Sequence, residues 1–154
     1  MIICFSLCSC GQYDGRLSSV QSSFNNNKES FTKLNEYLLD CYSSVDTNEL
    51  IFAFTFSDET GQVSEIYSGY SHEYVYLDED TIEHFDNARK AFAYDFSIIY
   101  ITDTRISYGG DGNEMFVYSL DGKKPKYFWS DEKKHHFSTY SLGDNWYYLF
   151  LRQR

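Results

Sequence analysis

The chain of 154 residues has few basic side chains, a single proline and no long apolar run. Lysine and arginine together number 13 against 23 aspartates and glutamates, and the formal net charge is −10. Such a balance repels phosphate backbones, so we expect no nucleic acid among the ligands. No stretch approaches the about 18 consecutive apolar residues of a transmembrane helix, which leaves the opening segment as the one candidate for membrane targeting.

Cysteine is scarce beyond the tenth residue. Cys4, Cys8 and Cys10 lie in the opening segment, and Cys41 is the fourth. The three early cysteines contain no CxxC pair, and no second pair of ligands follows them, which argues against a metal cluster. We expect Cys41 to be a structural thiol buried on the apolar side of a helix.

The opening segment ends in Leu7-Cys8-Ser9-Cys10, with a leucine at the third position before Cys10 and a small residue directly before it. This pattern resembles the lipobox of bacterial lipoproteins, over the first dozen residues of the chain. The resemblance implies that Cys10 carries lipid, that residues 1–9 are removed, and that the protein is anchored in a membrane of the bacterial cell envelope. The alternative is a cytoplasmic domain in which residues 2–7 form a buried strand.

Residues 11–26 are rich in glutamine, serine, asparagine and glycine and hold few apolar side chains. This composition predicts a flexible tether between Cys10 and the folded part of the chain. The remaining residues, 27–154, have the length of one domain. Hydrophobic residues make up 42% of the sequence and aromatic residues 19%, which excludes general disorder.

Two helices are predicted from apolar periodicity and capping residues. Phe31, Leu34 and Leu38 recur at helical spacing and predict a helix over residues 28–43, with Asn27 as its N-cap. Asp80 is placed to cap a second helix over residues 81–94.

Alternating and β-branched segments predict the strands. They lie at residues 49–57, 63–67, 73–77, 97–102, 105–108, 114–120, 125–130, 137–142 and 146–151. Short turns such as Gly143-Asp-Asn145 connect several of them as antiparallel neighbours. The expected architecture is α+β: an antiparallel sheet of about six to eight strands, with two helices packed on one face.

Signatures of catalysis and cofactor binding are missing. There is no Gly-x-Ser-x-Gly nucleophile elbow and no Cys/His pair at a known spacing. His135 and His136 are adjacent, and adjacent side chains of a strand point to opposite faces, so they are poorly placed to share one metal ion. The run from Gly109 to Gly112 lacks the strand-to-helix context of a phosphate loop. We therefore expect no catalytic residue, metal or cofactor.

Tyrosine is the unusual component, with 15 copies. Four side chains would share one face of an extended segment, and a second aromatic cluster lies further along the chain. The candidate binding face consists of Tyr70, His72, Tyr74, Tyr76, Trp129, Trp146 and Tyr147. Tyrosine among serine and glycine gives large amphipathic contact area at low entropy cost, which is typical of recognition surfaces. The alternative is a sheet that uses aromatic cross-strand pairs internally.

These features favour a lipid-anchored, non-enzymatic binding module of the bacterial cell envelope, whose partner is a basic protein or a glycan. Small, acidic, aromatic-rich α+β chains also resemble immunity proteins, and that resemblance implies an inhibitor of a basic toxin. The acidic residues between Asp78 and Asp86 would serve as its docking patch, although carboxylates at a helix start also complement the helix dipole. An enzyme of unrecognised type is a further alternative.

Overall fold

The computed structural model describes residues 10–56, 63–69, 73–75, 77–92, 96–109, 114–125 and 136–152. These residues form two helices and eight strands, which confirms the predicted α+β class. In chain order they are α1 (Cys10–Ser43), β1 (Glu49–Phe56), β2 (Val63–Ser68), β3 (Glu73–Val75), α2 (Glu79–Arg89), β4 (Ile98–Thr102), β5 (Arg105–Gly109), β6 (Glu114–Ser119), β7 (His136–Gly143) and β8 (Trp146–Arg152). The strands form one antiparallel sheet in the order β3-β2-β1-β4-β5-β6-β8-β7.

The prediction of a flexible tether over residues 11–26 is wrong, because α1 begins at Cys10 and runs through this segment. Val20 is 6% exposed and Phe24 is fully buried in the core. Their spacing places them on the same helix face as Phe31 and Leu34, so a few apolar residues suffice to dock the polar segment. Asn27 lies inside the helix rather than at its start, and its side-chain amide donates to the carbonyl oxygen of Ser23 at 2.8 Å.

Helix α2 starts one residue after Asp78, which is its N-cap in place of the predicted Asp80. The Asp78 carboxylate accepts a hydrogen bond from the backbone N–H of Thr81 at 2.7 Å. The helix ends at Arg89, earlier than predicted, because the following amides bond three residues back. This tighter turn places Ala91 and Phe92 in the core.

The core lies between the two helices and one face of the sheet. On that face, the cross-strand partners of six neighbouring strands form a continuous row. The row is Phe52, Ile99, Tyr108, Phe116, Tyr148 and Tyr140. Phe24 and Phe31 of α1 pack against it, with ring centroids 5.4 Å apart for Phe24 and Phe116 and 5.1 Å apart for Phe31 and Tyr108. Aromatic packing therefore holds α1 to the sheet.

The final hairpin follows the prediction, with β7 and β8 joined at Gly143, Asp144 and Asn145. All three have positive φ angles, which glycine and the short polar residues tolerate best. The predicted strand over residues 125–130 is not borne out at Pro125, which lies in the connection after β6, and its other residues lie outside the described part of the chain.

Candidate binding face

The second face of the sheet, hereafter the open face, carries the residues that alternate with the core-facing ones. Neither α1 nor α2 packs on it, because the sheet residues that pack in the core with the helices all point to the other face. Its buried centre is a separate small cluster of Met115, Val117 and Leu149, with Phe137 and Tyr147 packed against it. The sheet therefore presents two chemically distinct faces.

Two cross-strand rows make up the centre of the open face. The first row is Ile51, Tyr100, Ser107, Val117, Tyr147 and Ser141. The second row is Tyr74, Tyr67, Ala53, Ile98, Gly109, Met115, Leu149 and Thr139. Tyr67, Tyr100 and Tyr147 are half-buried, and Val117 and Leu149, which lie in the same two rows, are fully buried. Tyrosine beside apolar side chains, with few charges, is the composition found at the centre of protein interfaces.

The predicted binding residues do not all lie on one surface of the structure. Tyr147 lies on the open face, and Tyr74 occupies a row position there opposite Tyr67. Trp146 does not belong to the surface: it is 2% exposed and its ring lies 5.2 Å from that of Phe24. That prediction is wrong because Trp146 and Tyr147 are adjacent in one strand and point to opposite faces.

Tyr70, His72, Tyr76 and Trp129 lie outside the described residues. Tyr100 is a member of the open face that the sequence analysis missed. It stands between Ile99 and Ile101, both fully buried on the core side. This alternation within β4 is the sequence signal that identifies it.

The open face ends in a polar row next to a cavity. The row is Glu49, Thr102, Arg105 and Ser119. The cavity has a volume of about 240 Å³, and its lining is Thr104, Arg105, Ser119, Asp121, Lys123, Lys124 and Pro125. Burial lowers the pKa of Arg105, while the negative charges of Glu49 and Asp103 act in the opposite direction. Arginine keeps its charge at neutral pH despite such a shift.

Asp121 organises the loop that borders this cavity. Its Oδ1 accepts hydrogen bonds from the Lys123 backbone amide at 3.0 Å and from Ser119 Oγ at 2.9 Å. Its Oδ2 lies 3.1 Å from Lys123 Nζ. These bonds, those from Lys123 first, lower the pKa of Asp121 below its ordinary value. Asp121 is therefore ionised at neutral pH and fixes the path of the loop.

A buried polar network joins the start of α1 to the far end of the sheet. Glu114, which is 1% exposed, accepts a hydrogen bond from Tyr148 Oη at 2.7 Å and one from Arg16 at 3.3 Å. The Arg16 guanidinium also lies 4.1 Å from the centre of the Phe150 ring, at cation–π distance. Burial, and then the bond to Glu114, raise the pKa of Tyr148 above its ordinary value. The network therefore fixes α1 to the sheet at Arg16, close to the start of the helix.

The outer surface of the two helices is rich in carboxylates at one end. The helices are antiparallel, since Ser23 of α1 bonds the Lys90 carbonyl at 3.1 Å and Ser30 lies 3.3 Å from His84. Six exposed carboxylates collect where α1 ends and α2 begins. They are Glu36, Asp40, Asp78, Glu79, Asp80 and Glu83.

Cys41 lies near this acidic end and is a free thiol. It is partly buried rather than fully buried as predicted, and it packs against the edge of the core. Burial, and then a hydrogen bond with Cys41, raise the pKa of the neighbouring Tyr37. Cys10 is the first residue of α1.

Within the described ranges, no group of three or more histidine, cysteine, aspartate or glutamate side chains is arranged to hold a metal ion. Among the same residues, no helix combines the length and apolarity that crossing a membrane requires. The chain matches no protein-family model, and no curated protein or solved structure is significantly similar to it.

Proposed function

We propose that this chain is a non-enzymatic binding module of the bacterial cell envelope, anchored by lipid on Cys10, and that its open face binds a protein partner. The observation that supports this most is the group of three half-buried tyrosines, Tyr67, Tyr100 and Tyr147, on a sheet face that neither helix covers. Tyrosine is enriched at protein interaction sites, because its ring packs on apolar surface while its hydroxyl stays available for a hydrogen bond.

The size of the open face suits a protein partner better than a small ligand. Eight strands at a spacing of about 4.8 Å span about 34 Å across the sheet. Strands of five to eight residues in β1, β4 and β5 add a length of about 17–26 Å at about 3.3 Å per residue. The product, roughly 600–900 Å², is an upper limit on what a partner could cover, because Met115, Val117 and Leu149 on this face are already buried. That limit is comparable to the about 800 Å² that one partner buries in a standard protein interface.

The continuous helix changes how a lipid on Cys10 would hold the domain. Cys10 precedes Arg16 by six residues of the same helix, a distance of about 9 Å at about 1.5 Å per residue. Arg16 is bonded to the sheet through Glu114. The module would therefore lie close against the membrane with a restricted orientation, rather than moving freely on a tether.

The anchor is tested on protein expressed from the full natural gene in a bacterial host fed labelled palmitate. We expect label on the wild-type chain and none on Cys10→Ala. The Cys41→Ala variant is the matched control and should keep the label. Unlabelled wild-type protein with residues 1–9 intact would contradict the envelope location.

The open face is tested by site-specific photo-crosslinking in the native host. A photo-reactive residue at position 100 or 147 should crosslink to one discrete protein, and the same residue at the exposed helix position Glu36 should not. Adding Tyr67→Asp should abolish the adduct at position 100, because a buried charge would oppose docking. The open-face proposal fails if adducts form equally from Glu36, or if only the helix position reacts.

A second candidate function is supported by the acidic end of the helix pair. Six exposed carboxylates there would complement a basic surface, such as that of a cationic toxin, and speed association at low salt. Reversing the charges of Glu36 and Asp40 to lysine would then slow association with the captured partner about tenfold or more. If crosslinking instead occurs at Tyr100 and the charge reversal has no effect, this candidate is excluded.

A further inference from the structure

We propose that the cavity at the Arg105 end of the open face is a binding site for a small anionic group, a phosphate or a carboxylate. Three cationic side chains, from Arg105 at the start of β5 and from Lys123 and Lys124 in the loop after β6, line about 240 Å³ of space there. The site is distinct from the tyrosine rows, and its existence does not depend on the open face binding a protein.

The lining of the cavity has more cationic than anionic side chains. Arg105, Lys123 and Lys124 contribute three positive charges to the lining and Asp121 one negative charge, while the carboxylates of Glu49 and Asp103, outside the lining, act on Arg105. The excess of cationic over anionic side chains in the lining favours an anion over a cation inside the cavity.

The one carboxylate in the lining is already engaged. Both of its oxygens are bonded within the loop, to Ser119 and to Lys123, so Asp121 serves the loop geometry. Lys124 is exposed and forms no ion pair with any residue that the structure describes. Lys124 is therefore available to contact a ligand, and Lys123 can turn toward one by exchanging its exposed contact with Asp121.

The backbone around the cavity is held in place before any ligand binds. Leu120 donates its N–H to the Thr104 carbonyl at 2.8 Å, which joins the two loops. Arg105 and Ser119 are register partners in adjacent strands, and Ser119 is 2% exposed. Gly122 has a φ of +71°, which allows the tight return of the chain after Asp121. A rigid frame reduces the entropy cost of binding.

The volume of the cavity limits the size of the ligand that it can hold. It is smaller than the about 300–1,000 Å³ of pockets that enclose a drug-sized ligand. A phosphate or carboxylate fits, with room for only a few atoms beyond it. The ligand is therefore either a free small anion or an anionic group that extends from a larger molecule.

The test is a titration of the full chain carrying Cys10→Ala with inorganic phosphate, followed by amide NMR shifts at constant ionic strength. We expect saturable shifts at Thr104, Arg105 and Ser119 that sodium chloride does not produce. The double variant Lys123→Gln/Lys124→Gln should bind phosphate at least tenfold more weakly. Lys33→Gln, which removes a surface lysine paired with Glu36 on α1, is the matched control and should bind as the wild type does.

Parallel titrations with acetate and with glycerol phosphate identify the source of the anion. Tighter binding of glycerol phosphate than of inorganic phosphate supports a group on a larger molecule, and the reverse order supports a free anion. Acetate binding that surpasses both supports a carboxylate. Shifts that chloride reproduces, or a double variant that binds phosphate as well as the Lys33→Gln control, would overturn the proposal.

Discussion

Replacing Phe24 by alanine tests the docking of the first half of α1 more directly than any other single change. The Phe24 ring is fully buried, and its centroid lies 5.2–5.4 Å from the rings of Phe31, Phe116 and Trp146. Removing a buried phenylalanine side chain typically costs about 3–5 kcal/mol, through lost transfer free energy and the cavity left behind. We expect a cost in this range, because the site is enclosed by aromatic rings on several sides.

That cost is large beside the total stability of a domain, about 5–15 kcal/mol. Urea unfolding followed by tryptophan fluorescence measures it, and the nearby Trp146 makes the signal sensitive to this region. With a denaturant slope of about 2 kcal/mol/M, the unfolding midpoint should fall by about 1.5–2.5 M.

The matched control is Asn25→Ala, one residue further along the same helix and exposed. We expect its free energy of unfolding to differ from that of the wild type by less than about 0.5 kcal/mol. If Phe24→Ala is as mild as Asn25→Ala, then residue 24 does not pack in the core, and the segment before residue 27 is a tether after all.

Two further predictions concern buried tyrosines. Tyr148→Phe removes the hydroxyl that donates to Glu114 at 2.7 Å, and we expect a loss of about 1.5–3 kcal/mol in urea unfolding, because the acceptor is a buried carboxylate. Tyr147→Phe, on the open face, is its control, and equal losses in the two variants would contradict the assignment. Burial raises the pKa of Tyr108 well above 10.0, so its contribution to stability is complete below about pH 10 and declines as the pH rises further. Tyr108→Phe should make the unfolding free energy less sensitive to pH between about 10 and 12, and an unchanged alkaline slope would refute this reading.

Local patterns predicted most of the sheet correctly. The alternation of Phe52 and Phe54 identifies β1, and the turn chemistry of Gly143-Asp-Asn145 identifies the last hairpin. These signals are reliable because side chains alternate between faces along a strand, and because positive φ angles restrict the residues that can stand at such a turn.

The same local reasoning failed for residues 11–26 and for Trp146. Polar composition indicated a tether, yet Val20 and Phe24 are placed so that the sheet can bury both. The aromatic run at Trp146 and Tyr147 indicated one surface cluster, although strand geometry separates the two rings. The composition of a segment gives the number of its apolar residues, but it does not show which of them another part of the fold buries.

The sequence by itself determined the α+β class, the net negative charge and the order of nearly all elements, because propensity, periodicity and turn chemistry act between near neighbours in the chain. Only the tertiary structure decided which sheet face the two helices leave uncovered and where Tyr100 lies on it. It also decided that Arg105, Lys123 and Lys124 converge around one cavity. Those outcomes depend on strand order and register, which arise from packing between residues far apart in sequence.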